Sequence, residues 1–249
     1  MTLDFNRSVN KEHAASDAIN SVLNASLRKA NDSQGRRTYV GASAIGGECA
    51  RALQFEYAGA KKEKEFPDLT LRKFQLGHHN EELARWWFKD AGFNLVQKTE
   101  KGPFRFSELD GRFAGTPDGV FLSGPAITGV GYPCLWECKS VGSKTYKQIE
   151  KDGLKKARFT YFAQVQIYMA YLDLMAHPTI FTVTNLDTGE QLHLLIPFDG
   201  EVAQAMSDRA VQIIKATEAG DLLPRAFNDQ SHFICKWCSF SERCWGMET

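Results

Sequence analysis

Two short segments carry side chains able to do phosphoryl chemistry: GTPDGVF (115–121) and CLWECKS (134–140). In the first, Asp118 follows Pro117 and precedes Gly119, where a strand is predicted to begin. In the second, Glu137 and Lys139 stand two residues apart on a predicted strand. The two-residue alternation of a strand puts both on one face and Cys138 on the other, where it reads as a core residue. Two carboxylates hold Mg²⁺ or Mn²⁺ through oxygen ligands. Such an ion activates water and offsets charge on an attacked phosphate. A neighbouring lysine orients or deprotonates that water and stabilises the transition state. Glu-x-Lys alone is a common string that also describes a solvated pair on an edge strand, so the Thr-Pro-Asp-Gly turn upstream matters.

Three further features bear on the same chemistry. In GHHNEELARWW (77–87), His78, Glu81, Glu82 and Arg85 fall on one helical face, from which an acid could complete a metal shell. In YFAQVQIYMAYL (161–172), Gln164 and Tyr168 are one turn apart on an otherwise apolar helix, and a buried Gln needs a partner. From Lys139 to Arg158 the basic residues Lys139, Lys144, Lys147, Lys151, Lys155, Lys156 and Arg158 are opposed only by Glu150 and Asp152. That stretch could follow a phosphate backbone. Each feature also has a plainer reading: a polar helix face, a Gln satisfied by nearby backbone, and a solvated helix surface.

The elements that must position these residues follow from periodicity and breakers. Helices are predicted over 10–30, within 43–58 after a turn, and over 70–91, with a charged loop at 59–68 between the last two. Leu71, Phe74, Leu76, Leu83, Trp86, Trp87 and Phe88 are the candidate core residues of the third helix, and Gly92 is its stop. Strands are predicted at 93–98, 111–115, 118–123 and 133–139. Helices follow at 144–152 and 159–175. A hairpin joins Phe181–Thr184 to Gln191–Ile196 around Asp187, Thr188 and Gly189, and a helix covers 199–219. The order implies a mixed α/β core with helical flanks. The chain divides as one domain over 1–249, with an N-terminal flank at 1–70 that includes Cys49, a core at 71–198 and a C-terminal helix and cysteine-rich tail at 199–249.

The bulk properties narrow the function. The 249 residues are 43% hydrophobic and 12% aromatic, which is enough for a sizeable core. Thirty basic and thirty acidic residues give no net charge, which argues against a protein that coats nucleic acid through overall charge. No run is apolar enough to span a membrane, and MTLDFNRSVNKEHAASDA (1–18) has no leader pattern, so a cytosolic protein is expected. Six cysteines in such a compartment point to metal before disulfides. The tail CKWCSFSERC (235–244) brings Cys235, Cys238 and Cys244 together, and Cys49 in GECAR (47–51) is the natural fourth thiolate. Four thiolates suit a cluster or a tetrahedral ion. His232 keeps a Cys/His Zn²⁺ site open.

Taken in order, Gly77 to Glu81, Thr116-Pro-Asp118-Gly, Glu137-Cys-Lys139 and Gln164 to Tyr168 resemble the PD-(D/E)xK nuclease superfamily. The RecB-like exonuclease branch is the one they most resemble; it includes the AddB nuclease domain and the CRISPR-associated RecB-like exonucleases. The resemblance covers about residues 43–175, and the cysteines extend it to the C-terminus. It implies a restriction-endonuclease-like fold, with a central mixed sheet flanked by helices and a C-terminal flank bound to an iron–sulfur cluster. It implies that Asp118, Glu137 and the carbonyl of Cys138 hold Mg²⁺ or Mn²⁺, that Lys139 is catalytic, and that Gln164 and Tyr168 position site and substrate. It further implies a 4Fe–4S cluster on Cys49, Cys235, Cys238 and Cys244. In many RecB-like members a His stands where this chain has Glu81. GHHNEELAR (77–85) is closer to phage lambda-type exonucleases, so Glu81 is the first choice for the remaining ligand, with His78 and Glu82 in reserve. The implied activity is a DNA exonuclease acting on single-stranded or processed ends in recombination, repair or phage DNA processing, in a bacterial or phage-infected cytoplasm. The partner is DNA, with room for a recombination or repair protein. The alternatives are a non-cleaving DNA-binding or adaptor module and, more remotely, a zinc-stapled interaction protein.

Overall fold

The computed structural model describes residues 9–100 and 102–246, so the first eight residues of the segment read for a leader lie outside it. The elements in chain order are α1 (Val9–Asp32), β1 (Val40–Gly41), α2 (Ala50–Ala58), α3 (Asp68–Asp90), β2 (Asn94–Val96), β3 (Lys98–Thr99), β4 (Gly102–Pro103), β5 (Phe106–Glu108), β6 (Phe113–Gly115), β7 (Gly119–Ser123), β8 (Cys134–Val141), α4 (Ser143–Asp152), α5 (Leu154–Ala157), α6 (Phe159–Tyr171), β9 (Thr179–Asn185), β10 (Gln191–Ile196), α7 (Gly200–Ala219), α8 (Phe233–Lys236) and α9 (Ser241–Gly246). Two compact units result: Met1–Arg36 with Glu65–Leu76, and Arg37–Lys64 with Gly77–Thr249.

The smaller unit is α1 and the opening of α3. Its described contacts are largely polar. Arg28 pairs with Asp68. The Arg72 guanidinium donates to Asn20 and Asn24 at 2.9 and 2.7 Å, and Phe66 meets Phe74 edge to face.

The larger unit is built on a five-stranded sheet in the order β10-β9-β8-β7-β2. β8 runs parallel to β9 and antiparallel to β7, and the two outer pairs are antiparallel, so the sheet is mixed. The parallel pair requires a crossover, which α4, α5 and α6 supply. A smaller sheet, β1-β6-β5, carries the strand that leads into the Thr-Pro-Asp turn.

β8 is covered on both faces, which explains the apolar run Cys134–Trp136 at its start. On one side Leu135 and Val141 join Phe181, Val183 and the buried face of α6. On the other, Cys134, Trp136 and Cys138 join Leu95, Phe121 and Ala84 of α3. Trp136 is fully buried, and its indole N–H donates to Thr182 Oγ1 at 2.9 Å, so the ring adds about 2–3 kcal/mol of burial without an orphaned donor. The alternation along β8 therefore aims Glu137 and Lys139 at α6, as the two-residue period requires.

The core assignment on α3 needs correction. Leu71 is buried and Phe88 packs on the second cluster, but Phe74, Leu76, Leu83, Trp86 and Trp87 are 41–60% exposed. The large apolar residues of α3 span an arc too wide for one helix to bury. The residue that approaches the sheet is the small Ala84, fully buried one turn before Phe88. Among the strands, β1, β4 and β5 carry too few residues for a periodic signal. The helix, hairpin and C-terminal helix assignments agree with α4, α6, β9–β10 and α7 to within a few residues.

Candidate active site

The site forms where β8 ends between α3 and α6. Glu137 is fully buried, and its Oε1 accepts from Lys139 Nζ at 2.5 Å and Gln164 Nε2 at 2.7 Å. Its other oxygen, Oε2, is buried with no hydrogen-bond partner. Lys139 Nζ also lies 3.9 Å from Asp118 Oδ2, and the same Oδ2 accepts the Cys138 amide hydrogen at 2.8 Å. The predicted trio is thus brought into mutual contact by β8 and the turn before β7.

Gln164 and Tyr168 reach the same place from α6. Gln164 Nε2 donates to Tyr168 Oη at 3.2 Å as well as to Glu137, leaving its own buried Oε1 unpartnered. Tyr168 in turn donates to the carbonyl of Thr116 at 3.0 Å, two residues before Asp118. Gly115 is required here, because a Cβ would stand 2.6 Å from the Tyr168 ring and 2.9 Å from Ala42 and Phe106.

α3 contributes Glu81, which is half-buried, ion-paired with Arg85 at 3.7 Å and within electrostatic reach of Asp118 and Lys139. His78 and Glu82 are exposed on the same helix. Burial, then the Asp118 charge, raises the Glu137 carboxyl to about 8 and the Glu81 carboxyl to about 7. The Lys139 ammonium is raised by Glu137 and Asp118 against the opposing effect of burial. Carboxylates crowded together and held partly protonated, one with a buried oxygen lacking a donor, are the setting a divalent cation fits. Cys138 differs: its thiol points into the opposite cluster, and burial raises it, as it pushes Cys134 up to about 12. Neither is a thiolate ligand in that setting; only the Cys138 carbonyl remains available to the site.

Other groups at the site gave no sequence signal. Tyr161 lies under Lys139, its ring centroid 5.8 Å from Nζ. Asn80 Nδ2 donates to Ser140 Oγ at 2.8 Å, fixing α3 to β8 beside the site. Arg37 and Arg105 both lie over the Tyr39 ring, and Arg105 Nη1 is 3.4 Å from Thr116 Oγ1.

The predicted basic stretch divides. Lys144, Lys147 and Lys151 are exposed on α4. Lys155 pairs with Asp199 at 2.8 Å and Lys156 with Asp152 at 3.4 Å. Arg158 is spent on the helix junction, donating to Thr145, Gln148 and the Ala157 carbonyl.

The four cysteines share one neighbourhood: Cys235 and Cys238 each lie within electrostatic reach of Cys49 and Cys244. Cys49 stands at the N-cap position of α2, its thiol making no capping bond. From that helix Arg51 donates to the Leu223 carbonyl and to Cys244 Sγ at 3.8 Å. Gln54 clasps Leu223 N and Asp221 O. The Phe240 amide donates to Cys238 Sγ at 3.4 Å. Soft donors with N–H groups aimed at sulfur have the chemistry of a metal or cluster site, but among the described residues no group of three or more His, Cys, Asp or Glu, here or at the carboxylates, is arranged so that it could hold a metal ion. No helix among those residues is long and apolar enough to cross a membrane.

A central mixed sheet flanked by helices, with this trio at the end of β8, defines the nuclease fold of the PD-(D/E)xK type. The chain belongs to the YqaJ-like viral recombinase domain family, whose pattern matches residues 33–182. The RecB-like, cluster-bearing branch that the sequence most resembles is not the family that matches. Among solved structures, an alkaline exonuclease, LHK-Exo from Laribacter hongkongensis, is similar with a TM-score of 0.52 at 18% identity, over 74% of this chain and 90% of that one. A protein named SSO0001 aligns over 93% of this chain and 98% of its own, at 16% identity and a TM-score of 0.49. No curated protein matches the sequence.

Proposed function

We propose that the chain is a divalent-metal-dependent deoxyribonuclease, an exonuclease working at single-stranded or processed DNA ends in recombination, repair or phage DNA processing. The observation that carries this reading is Glu137: fully buried, in contact with Lys139, holding one oxygen without a partner, and within electrostatic reach of Asp118. Membership in a viral recombinase family and a fold shared with an alkaline exonuclease support the choice of DNA ends.

Asp118, Glu137, Glu81 and the Cys138 carbonyl would hold Mg²⁺ or Mn²⁺. When bound, the ion supplies an activated water and offsets phosphate charge. Lys139, between two carboxylates, acts as a positive hydrogen-bond donor to the attacking water and the phosphate rather than as a base. Gln164 fixes the Glu137 carboxylate, and Tyr168 fixes the turn bearing Asp118. Lys144, Lys147 and Lys151, exposed on α4, with Arg37 and Arg105 beside Thr116, would meet the DNA backbone, whereas Lys155, Lys156 and Arg158 are engaged within the fold. A non-cleaving module would be free to lose the Asp118, Glu137 and Lys139 set, yet all three are present and in contact.

We infer that Cys49, Cys235, Cys238 and Cys244 hold a 4Fe–4S cluster that ties α2 to the C-terminal tail, with Zn²⁺ the alternative the same donors fit. The deciding assay uses end-labelled linear and circular DNA, single- and double-stranded, with Mn²⁺, Mg²⁺ or chelator. Metal-dependent loss of linear but not circular DNA is expected. No cleavage of any form with either metal would overturn the reading.

A further inference from the structure

We propose that the Phe233–Trp237 face of the cysteine-rich tail is a stacking platform for single-stranded DNA, flanked by the lysines of the segment at 61–64. The proposal rests on the nuclease reading only in taking DNA as the ligand.

Phe233 and Trp237 bracket α8 and are 70% and 67% exposed, the most exposed Phe and Trp rings among the described residues. They stand four residues apart, and the Trp237 amide donates to the Phe233 carbonyl, so both rings leave the same turn. Large apolar rings left in water on an ordered element mark a binding surface.

The element is held firmly. Glu63 N donates to the Ser239 carbonyl at 2.8 Å, and the Glu63 carboxylate accepts the Glu242 and Arg243 amides at 2.8 and 2.7 Å. Lys64 Nζ donates to the Lys236 carbonyl at 2.9 Å. The rings are therefore presented rigidly, which lowers the entropy lost on binding.

Charge selects the ligand. Lys61, Lys62, Lys64, Lys236 and Arg243 are exposed on the two joined segments, against the acids Glu63, Glu65 and Glu242. The acid between the lysines, Glu63, is committed to backbone amides. In a chain with no net charge, this local excess of cations around two rings is complementary to a phosphate backbone carrying unstacked bases. Stacking needs no particular base, which suits an enzyme that must pass along any sequence. The platform lies on the cysteine-rich tail and uses none of the residues proposed for the Mg²⁺ or Mn²⁺ site.

The test measures binding of a short fluorescein-labelled oligo(dT) and of a blunt duplex to the full chain without added divalent metal. Phe233→Ala/Trp237→Ala should weaken oligo(dT) binding about tenfold or more, and duplex binding less. Metal content and melting temperature should stay at the parent values. If that variant fails to fold, Trp237→Phe decides: it should keep most of the affinity but lose part of the tryptophan quenching that oligo(dT) causes in the parent. Parent-like affinity in the folded double variant, or parent-like quenching in Trp237→Phe, would overturn the proposal. Unchanged oligo(dT) binding together with lost self-association or protein binding would overturn it in favour of a protein-docking face. Failure of the nuclease reading would appear separately, as a parent chain that does not cleave in Mn²⁺.

Discussion

Tyr168 donates its hydroxyl hydrogen to the carbonyl of Thr116, 3.0 Å away and 52 residues distant in sequence. This bond ties α6, which carries Gln164, to the turn that carries Asp118. Helix and turn are thereby set against each other at the two carboxylates.

Tyr168→Phe keeps the ring packing against Phe106 and removes only the hydroxyl. It orphans the Thr116 carbonyl and leaves Gln164 with Glu137 as its remaining partner. A loss of about 1 kcal/mol in urea unfolding is expected. A larger effect is expected on turnover, about tenfold or more, because the Asp118 turn is no longer fixed. A variant that loses stability but keeps the parent kcat would show that the bond is structural only.

Lys139→Ala removes the cation shared by Glu137 and Asp118. Cleavage should fall at least about a thousandfold, since a positioned charge acting in a buried site contributes on that scale. Binding of uncut DNA should largely persist, because Lys139 would touch only the attacked phosphate while Lys144, Lys147 and Lys151 would meet the rest of the backbone. Asp118→Ala should behave alike. If both variants cut as fast as the parent in an end-labelled assay, the assignment of the site fails.

The Glu137 and Glu81 carboxyls, raised to about 8 and 7 from an ordinary 4.5, give a pH test with a defined sign. Their folded values exceed the unfolded one, so the metal-free folded chain holds protons that the unfolded chain has released. The associated stability is present below about pH 4.5 and is lost as pH rises through 7 and 8. The metal-free protein should thus melt lower at about pH 8.5 than at about pH 6, and added Mn²⁺ should reverse the difference. Metal displaces those protons, so its affinity should tighten as pH rises towards about 8. Calorimetric Mn²⁺ titrations in buffers of different ionisation enthalpy count the protons. Zero release between about pH 6 and 8 would contradict the picture.

Much of this site was legible in the chain because strand alternation is a strict rule. Glu137 and Lys139 had to share a face once β8 was recognised, and Gln164 with Tyr168 had to share one on α6. Asp118 was placed by the turn chemistry around Pro117 and Gly119. The exposed side of α3 was misread because hydrophobicity reports transfer preference, not which neighbours exist. Trp86 and Trp87 are as apolar as Phe88, but no sheet residue covers them. Arg37, Tyr39 and Arg105 could not be anticipated, since their meeting depends on how β1, β5 and β6 pair, and those strands are two or three residues long.

Cys244→Ser tests the tail. The Cys244 carbonyl accepts from Arg225 and its amide donates to the Phe240 carbonyl, bonds that serine preserves. The change is confined to the sulfur that Arg51 approaches from α2. If Cys244 is a ligand, iron content and solubility should fall together. The melting temperature should drop by about 5 °C or more, because a bound metal stabilises only the folded chain. Arg51→Lys, which keeps the charge but loses the planar donor fork, should lower retention of the group less than Cys244→Ser does. Iron and sulfide analysis with visible absorption of anaerobically purified protein reads the outcome. A colourless parent with stoichiometric zinc would replace the cluster by an ion. Unchanged metal content and melting in Cys244→Ser would remove this cysteine from the ligand set.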